Sequence, residues 1–418
     1  MSISIDRRAG LSPPGDPARS VLSRDDVMSE ATLVHASNLL VASPDQRLGL
    51  DFFGSVVTDV PADVSGKTVY LTGDIATHRG RLAGAARVFV IEELSHGHDD
   101  TLELVDLGKV PVTVGGVGVF YRRFFDGDDY FRRISSEHTF QALTESVKPS
   151  KARRTGIYLT PVTGDGDALH FHLLRCSTNL SGPTENFCAT DRRLVQALND
   201  EAAVIFRDHA PLNHVLAQIY TNTPATDDQK QTKAKISAHA DKTKDMPANG
   251  IMAFCTFYDG LGKLSPLPDD PFDYGYKGKT GLTRLRFRLK EPVSNRQGLL
   301  PEFSVTLYPG SVFFMPLSTN RLYTHEIQSS MLNAEMLPTR LGYVVRCSKT
   351  EAVHERGSTF LRIDGQLVPM EPPTPEGMIA LRELYTEENS SDAVIDYGDK
   401  FRFSMNEGDY LAPDQKRD

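Results

Sequence analysis

The chain has 418 residues, 39% apolar and 24% charged, enough to bury a large core in one big domain with additions or in two domains. A net charge of −9 argues against indiscriminate adhesion to polyanions, although it leaves room for a local basic groove. No apolar run approaches the ~20 residues that a membrane span needs, so no membrane partner is expected. The four cysteines, Cys176, Cys188, Cys255 and Cys347, form no CxxC pair, so neither a zinc site nor a disulfide framework is indicated. Reduced thiols and an N-terminus without the apolar core of a secretory signal point to an intracellular setting, nucleus or cytoplasm.

In chain order, residues 1–30 read as a disordered tail rich in Pro, Gly, Ser and Arg. Residues 31–135 form an N-terminal β-rich extension. Its strands are "KTVYLTGDI", "ARVFVIEEL" and "VPVTVGGVGVFYRRFF", and their β-branched content suggests an antiparallel subdomain or an extension of a larger sheet. Residues 136–355 carry the densest strand pattern and make the core. Within it, "DRRLVQALNDEAAVIFRD" has helical spacing of Leu194, Leu198, Ala202 and Ile205. Residues 259–283 look like a long insertion between strands, placed to shape access to a site. Residues 356–418 turn polar and acidic and form a C-terminal extension, with a short helix begun by Pro375.

The stretch "KISAHADKTKD" places His239 and Asp241 at i and i+2, which face the same side if the segment is extended. One imidazole and one carboxylate make two-thirds of a facial triad for non-haem Fe(II). The third ligand must be a distant histidine on another strand, and "YPGSVFFMPLSTNRLYTHEI" leads to His325. Oxygen chemistry on such an ion needs electrons, for which a 2-oxo acid that chelates the metal is the usual donor. Its far carboxylate calls for an arginine fork. In "LPTRLGYVVRCS", Arg340 and Arg346 are an even number of residues apart and so share one strand face. Basic runs flank these motifs: "KPSKARR" (148–154), the lysines around His239, and "RLRFRLK" (284–290). Such strips would give salt-sensitive phosphate contacts, and Tyr121, Phe124, Phe125 and Tyr158 would stack on an extruded base; a solvated strand face and ordinary core are the competing readings. His170 and His172 read as ordinary sheet residues, and Cys255 as core.

Four blocks between residues 211 and 350, taken in order, resemble the AlkB family of Fe(II)/2-oxoglutarate dioxygenases. "HVLAQIYTN" resembles the strand whose Asn-x-Tyr contacts the co-substrate, with Tyr220 matching the Tyr and Gln218 standing where Asn is usual. "ISAHADKTKD" resembles the His-x-Asp-Lys block, with Thr243 where repair-type members often carry an acid. "YPGSVFFMPLSTNRLYTHEI" resembles the Gly-Asp turn followed by Arg-x-x-x-His, with Ser311 replacing the Asp and Arg321 supplying the Arg. "RLGYVVR" resembles Arg-x-Asn-x-Thr-x-Arg, with Gly342 and Val344 at the two middle positions.

The resemblance implies a mainly β, α+β fold: a double-stranded β-helix, or jelly-roll, core with flanking helices. It implies Fe(II) held by His239, Asp241 and His325, and 2-oxoglutarate held by Arg340 with Tyr220, Gln218 and Arg346. Thr243, Asp245, Arg321 and Tyr158 become candidate substrate contacts. The implied activity is oxidation of a methyl group on a nucleic-acid base, DNA or RNA. Alternatives are a 5-methylpyrimidine-modifying DNA dioxygenase of TET/JBP type, a protein or small-molecule hydroxylase, and a catalytically inactive binding module that keeps the barrel. Oligomeric state is not legible.

Overall fold

The structure, a computed structural model, describes residues 30–43, 51–98, 101–143, 153–176, 180–293, 296–398 and 400–415. The expected N-terminal tail, apart from Glu30, and the 148–154 basic run, apart from its last two residues, lie outside the described residues.

Two facing sheets organise the middle of the chain. Their strands are β1 (Gly118–Tyr121), β2 (Arg153–Thr160), β3 (His214–Thr221), β4 (Ile236–His239), β5 (Ile251–Asp259), β6 (Arg284–Leu289), β7 (Glu302–Thr306), β8 (Val312–Pro316), β9 (Tyr323–Gln328) and β10 (Thr339–Arg346). The helices are α1 (Tyr130–Glu137), α2 (Ala189–Ile205), α3 (Leu317–Leu322) and α4 (Pro375–Ser390). The large sheet contains the order β2-β3-β10-β5-β8-β1, and the small sheet runs β4-β9-β6-β7. Apart from β6 and β7, successive strands from β3 to β10 alternate between the sheets.

β5 reads "IMAFCTFYD" because it is covered on both faces. Met252 and Phe254 point into the core between the sheets, while Ile251, Ala253, Cys255 and Phe257 join the core behind the large sheet. Cys255 is therefore a core residue, as expected. The rear core is closed by α1 and α2. On α2, Leu194, Leu198, Ala202 and Ile205 are fully buried at the predicted helical spacing. The first turn is held by Asp191, whose carboxylate accepts the Cys188 N–H at 2.8 Å.

The region before α1 departs from expectation. Strands Ser55–Val57, Asn38–Val41, Thr68–Asp74, Arg87–His96 and Glu103–Val105 pair side by side in that order, and every pairing is parallel. β-branched content reports strand preference and not strand direction, so the antiparallel expectation had no physical support. Only Val112–Val114 and β1 extend the larger sheet, as the alternative reading allowed. Arg87 ties the parallel sheet to α2 through Glu201 at 2.9 Å.

Position 355/356 lies inside a hairpin. Thr350–Glu355 and Ser358–Ile363 form a hairpin whose two turn residues, Arg356 (φ 51°) and Gly357 (φ 77°), take the left-handed conformation of a tight hairpin turn. This hairpin shares an antiparallel sheet with Ala168–Leu173, so the C-terminal residues pack with the core. The 259–283 insertion is an ordered three-stranded antiparallel sheet. The helix expected at Pro375 is long, running to Ser390, with Thr374 accepting the Gly377 N–H at 3.1 Å.

Behind the large sheet, the side chain of His138 is wholly buried between two carboxylates. Its Nδ1 lies 2.8 Å from Glu185 Oε2 and its Nε2 2.7 Å from Asp191 Oδ2. Burial opposes a charge there, but Asp191 and Glu185 outweigh it and push His138 from 6.5 up to about 9. A folded pKa above the unfolded one gives stability that is complete below pH 6.5 and drains as pH rises through about 9. Urea-unfolding free energies should therefore fall by on the order of 3 kcal/mol across that window. The variant His138→Gln should be less stable at low pH and lack this dependence. A wild type with the same slope as the variant would refute the assignment.

Candidate metal centre

β4 and β9 pair antiparallel, and their register sets His239 directly opposite His325. The two imidazole centroids are 4.5 Å apart. β4 ends at His239, so Asp241 is not the strand residue expected from i, i+2 alternation. It sits in the following loop and places Oδ1 3.6 Å from His239 Nε2. Asn320 of α3 holds that loop, accepting the Asp241 N–H and donating to the Asp241 carbonyl, both at 2.8 Å. The ligand-capable atoms of His239, Asp241 and His325 all fall within 4.8 Å of one another.

The charges suit a divalent cation. Burial first, and then the neighbouring His239, lower His325 to about 3, so it is the neutral imidazole that metals bind. Its ring packs against Phe254 and Phe287, and its buried Nδ1 has no hydrogen-bond partner. Burial pulls the His239 pKa down, but Asp241 pulls harder and the net shift is upward. Its Nδ1 lies 2.9 Å from the Ser237 carbonyl, which places the proton on Nδ1 and turns the Nε2 lone pair towards Asp241. Burial would raise the Asp241 pKa, yet Arg346, 2.9 Å from Oδ2, and the imidazoles hold it well below the usual carboxylate range. A carboxylate, a neutral imidazole and a second imidazole oriented by its own backbone are the donors of a three-ligand iron site.

The inner face of β10 carries Arg340, Gly342, Val344 and Arg346. Pairing with β3 and β5 sets up rows across the sheet: Tyr220–Arg340–Tyr258, Gln218–Gly342–Thr256, Leu216–Val344–Phe254 and His214–Arg346–Met252. Arg340 is 5% exposed, yet among the described residues its guanidinium has neither an ion-pair nor a hydrogen-bond partner. It stacks on Tyr220 with 4.1 Å from Cζ to the ring centroid. A Cβ on Gly342 would lie 2.9 Å from Arg340 Nη1, so glycine lets the arginine head fold along the strand towards the metal end. The cleft it enters is lined by Tyr220, Asn222, Thr283, Ile327, Ser330 and Arg340. Tyr220 donates its hydroxyl to Gln218 Oε1 at 2.6 Å, which joins both candidate co-substrate residues into one unit.

Periodicity did not reveal the polar floor beside Arg346. His214 is 1% exposed, neither ring nitrogen has a partner, and its ring stands edge-on to Tyr158. His172 Nδ1 and Arg346 Nε are also buried without hydrogen-bond partners. The signal available was an apolar strand that opens on a histidine, His214.

Several expected substrate contacts are engaged elsewhere. Asp245 is 2% exposed and accepts from Arg175 Nη2 at 2.6 Å, the Arg175 N–H at 2.7 Å, Thr350 at 2.9 Å and Lys244 at 3.0 Å, so no acceptor position faces a ligand. Thr243 is bound to Glu388 of α4. Arg321 pairs with Glu30 at 3.2 Å and donates to the Asp392 carbonyl. Tyr158 is buried, and Tyr121, Phe124 and Phe125 lie in or against the core behind the large sheet, away from the three ligand candidates. Most of the 284–290 strip is engaged: Arg286 pairs with Glu302 and Glu326, Arg288 with Glu302, and Lys290 is buried against backbone carbonyls, while Arg284 stays exposed. A separate cavity of about 410 Å³, lined by residues including Phe125, Tyr130, Phe257, Phe272 and Tyr308, contains none of the three ligand candidates.

No protein-family model matches the chain, and no curated protein matches it. Among solved structures, a Pseudomonas putida prolyl-4-hydroxylase is 13% identical with a TM-score of 0.27, over 52% of this chain and 82% of that one. OsALKBH1 is 13% identical with a TM-score of 0.30, over 55% and 96%. The epimerase SnoN, solved in complex with Fe3+, alpha ketoglutarate and nogalamycin RO, is 10% identical with a TM-score of 0.26, over 53% and 72%. Likeness this low leaves the assignment to the side chains.

Asp241→Asn should abolish divalent-metal binding. It should also cost the apo protein about 3 kcal/mol, because Arg346 stays buried without its counter-charge. Adding Arg346→Met should recover part of that loss. Calorimetric metal titration and chemical unfolding read the two effects separately.

Proposed function

We propose that the protein is a non-haem iron oxygenase that uses 2-oxoglutarate as co-substrate. The observation that carries this reading is the pairing, across one barrel interior, of a three-ligand centre with a buried arginine that lacks an anion. His239, Asp241 and His325 would hold the iron. Iron bound there, with 2-oxoglutarate and dioxygen, supplies oxidation of an unactivated C–H bond with release of succinate and carbon dioxide. Arg340 binds the distal carboxylate of the co-substrate through its planar fork, and Tyr220 keeps that fork flat. Arg346 keeps Asp241 ionised and fixes which of its oxygens faces the imidazoles. Phe254 and Phe287 wall His325 off from water. The order β3-β10-β5-β8 facing β4-β9-β6-β7 supports a double-stranded β-helix as the scaffold.

For the substrate, the resemblance of the motif blocks supports a methyl group on a nucleic-acid base, with an AlkB-like or a TET/JBP-like outcome. The ion pairs of Arg286 and Arg288 favour a second reading, a protein or small-molecule hydroxylase, because cations already paired with carboxylates make a weaker phosphate track. Succinate release measured with and without methylated DNA and RNA oligonucleotides, with product nucleosides read by mass spectrometry, separates the two. Succinate without any altered nucleoside selects the second reading, and failure to bind iron defeats both.

Two substitutions test the carboxylate clamp. Arg340→Met should raise the KM for 2-oxoglutarate by about 100-fold, the scale of a lost charge-assisted pair, while metal affinity holds. Gly342→Ala should act in the same direction more weakly, by displacing the guanidinium. Equal loss of metal binding in either variant would contradict the assigned division of labour.

A further inference from the structure

The loop that carries Asp241 has no strand partner, so its shape must come from side chains. Asn320 holds one peptide of it. Two more are held from near the far end of the chain. The N–H of Ala240, the residue between the two ligand candidates, donates to Asn389 Oδ1 at 2.6 Å. The N–H of Thr243 donates to the Glu388 carboxylate at 3.1 Å, and the Thr243 hydroxyl donates to the same group. Glu388 and Asn389 are adjacent in the last turn of α4.

That placement is not explained by helix stability. An acid in the last turn opposes the helix macrodipole, and Glu388 is only 7% exposed, so its charge is costly there. Neighbouring groups offset the cost. Tyr397 donates its hydroxyl to Glu388 Oε2 at 2.5 Å. Lys290, from β6's end, donates to the Glu388 carbonyl at 2.7 Å and the Ser391 carbonyl at 3.0 Å. Lys242 of the loop sits 4.5 Å from the centroid of the α4 residue Tyr385. The end of α4 is therefore anchored to the small sheet on one side and grips the ligand loop on the other.

We infer that α4 is a clamp that sets the metal loop, with Asn389 and Glu388 as positioning residues for His239 and Asp241. The inference rests on the metal-centre reading above. Metal affinity depends on the clamp because the Ala240 peptide links the two ligands directly. By thermodynamic reciprocity, metal in the centre tightens the docking of α4.

Co(II) titration of the full-length apo protein, followed by visible absorption, tests the clamp. Asn389→Ala should weaken Co(II) binding by about tenfold, the scale of a lost supporting hydrogen bond behind a ligand. Asn389→Asp keeps an acceptor oxygen and should restore affinity. Ser390→Ala removes only bonds to the Thr386 and Glu387 carbonyls within the helix and should leave affinity unchanged. In the wild type, Co(II) should slow amide hydrogen exchange over residues 384–391, and Asn389→Ala should erase that slowing. A folded Asn389→Ala protein with wild-type Co(II) affinity would overturn the clamp alone. Equal losses in Asn389→Ala and Ser390→Ala would overturn it too, by reducing it to general helix stability. A wild type that takes up no Co(II) would overturn both the clamp and the metal reading.

Discussion

The Asp241–Arg346 pair is the contact on which the centre depends. Arg346 ends the strand at the middle of the large sheet, and Asp241 comes from a loop of the small sheet, so their 2.9 Å contact spans the two layers. Neither charge is well exposed. A buried carboxylate alone would take up a proton, and a protonated acid neither orients the imidazoles nor binds a cation well. With Arg346 beside it the carboxylate stays ionised, His239 is drawn towards it, and His325 remains neutral against Phe254 and Phe287. The ion pair thereby keeps Asp241 ionised, Asp241 in turn raises His239, and burial keeps His325 neutral.

β10 serves two buried electrostatic systems, one on each face. Its inner face presents Arg340 and Arg346 to the space between the sheets. Its outer face presents Tyr343, which donates to Asp191 at 2.8 Å and so joins the His138 system under α1 and α2. Gly342 lies between these demands. The absence of a side chain there opens the path along which the Arg340 head folds, and it makes sense of a glycine inside a central strand, where packing alone would favour a larger residue.

The peripheral segments work as supports of the two facing sheets. The parallel sheet is bound to α2 through Arg87 and Glu201, and Tyr121 of β1 donates to the same glutamate at 2.5 Å. The C-terminal hairpin completes a sheet with strand Ala168–Leu173, and α4 returns to the ligand loop. Residues far apart in sequence thus meet at a loop with little regular structure of its own, where a small displacement of one peptide would move two ligand side chains.

What the sequence determined by itself was the local chemistry. His239, Asp241 and His325 stand out because imidazoles and a carboxylate in that order suit one kind of metal site. The apolar spacing of Leu194, Leu198, Ala202 and Ile205 predicts the buried face of α2. Arg340 and Arg346 share a strand face because side chains alternate along any extended chain. Tertiary structure decided everything that depends on what lies opposite a residue. Strand direction in the N-terminal sheet, the capture of Asp245 by Arg175 and Lys244, the neutralisation of Arg286 by Glu302 and Glu326, and the grip of Asn389 on Ala240 all join distant segments. Periodicity records which side of an element is buried, but a partner's identity is set by register and packing between elements, and those exist only once the chain has folded.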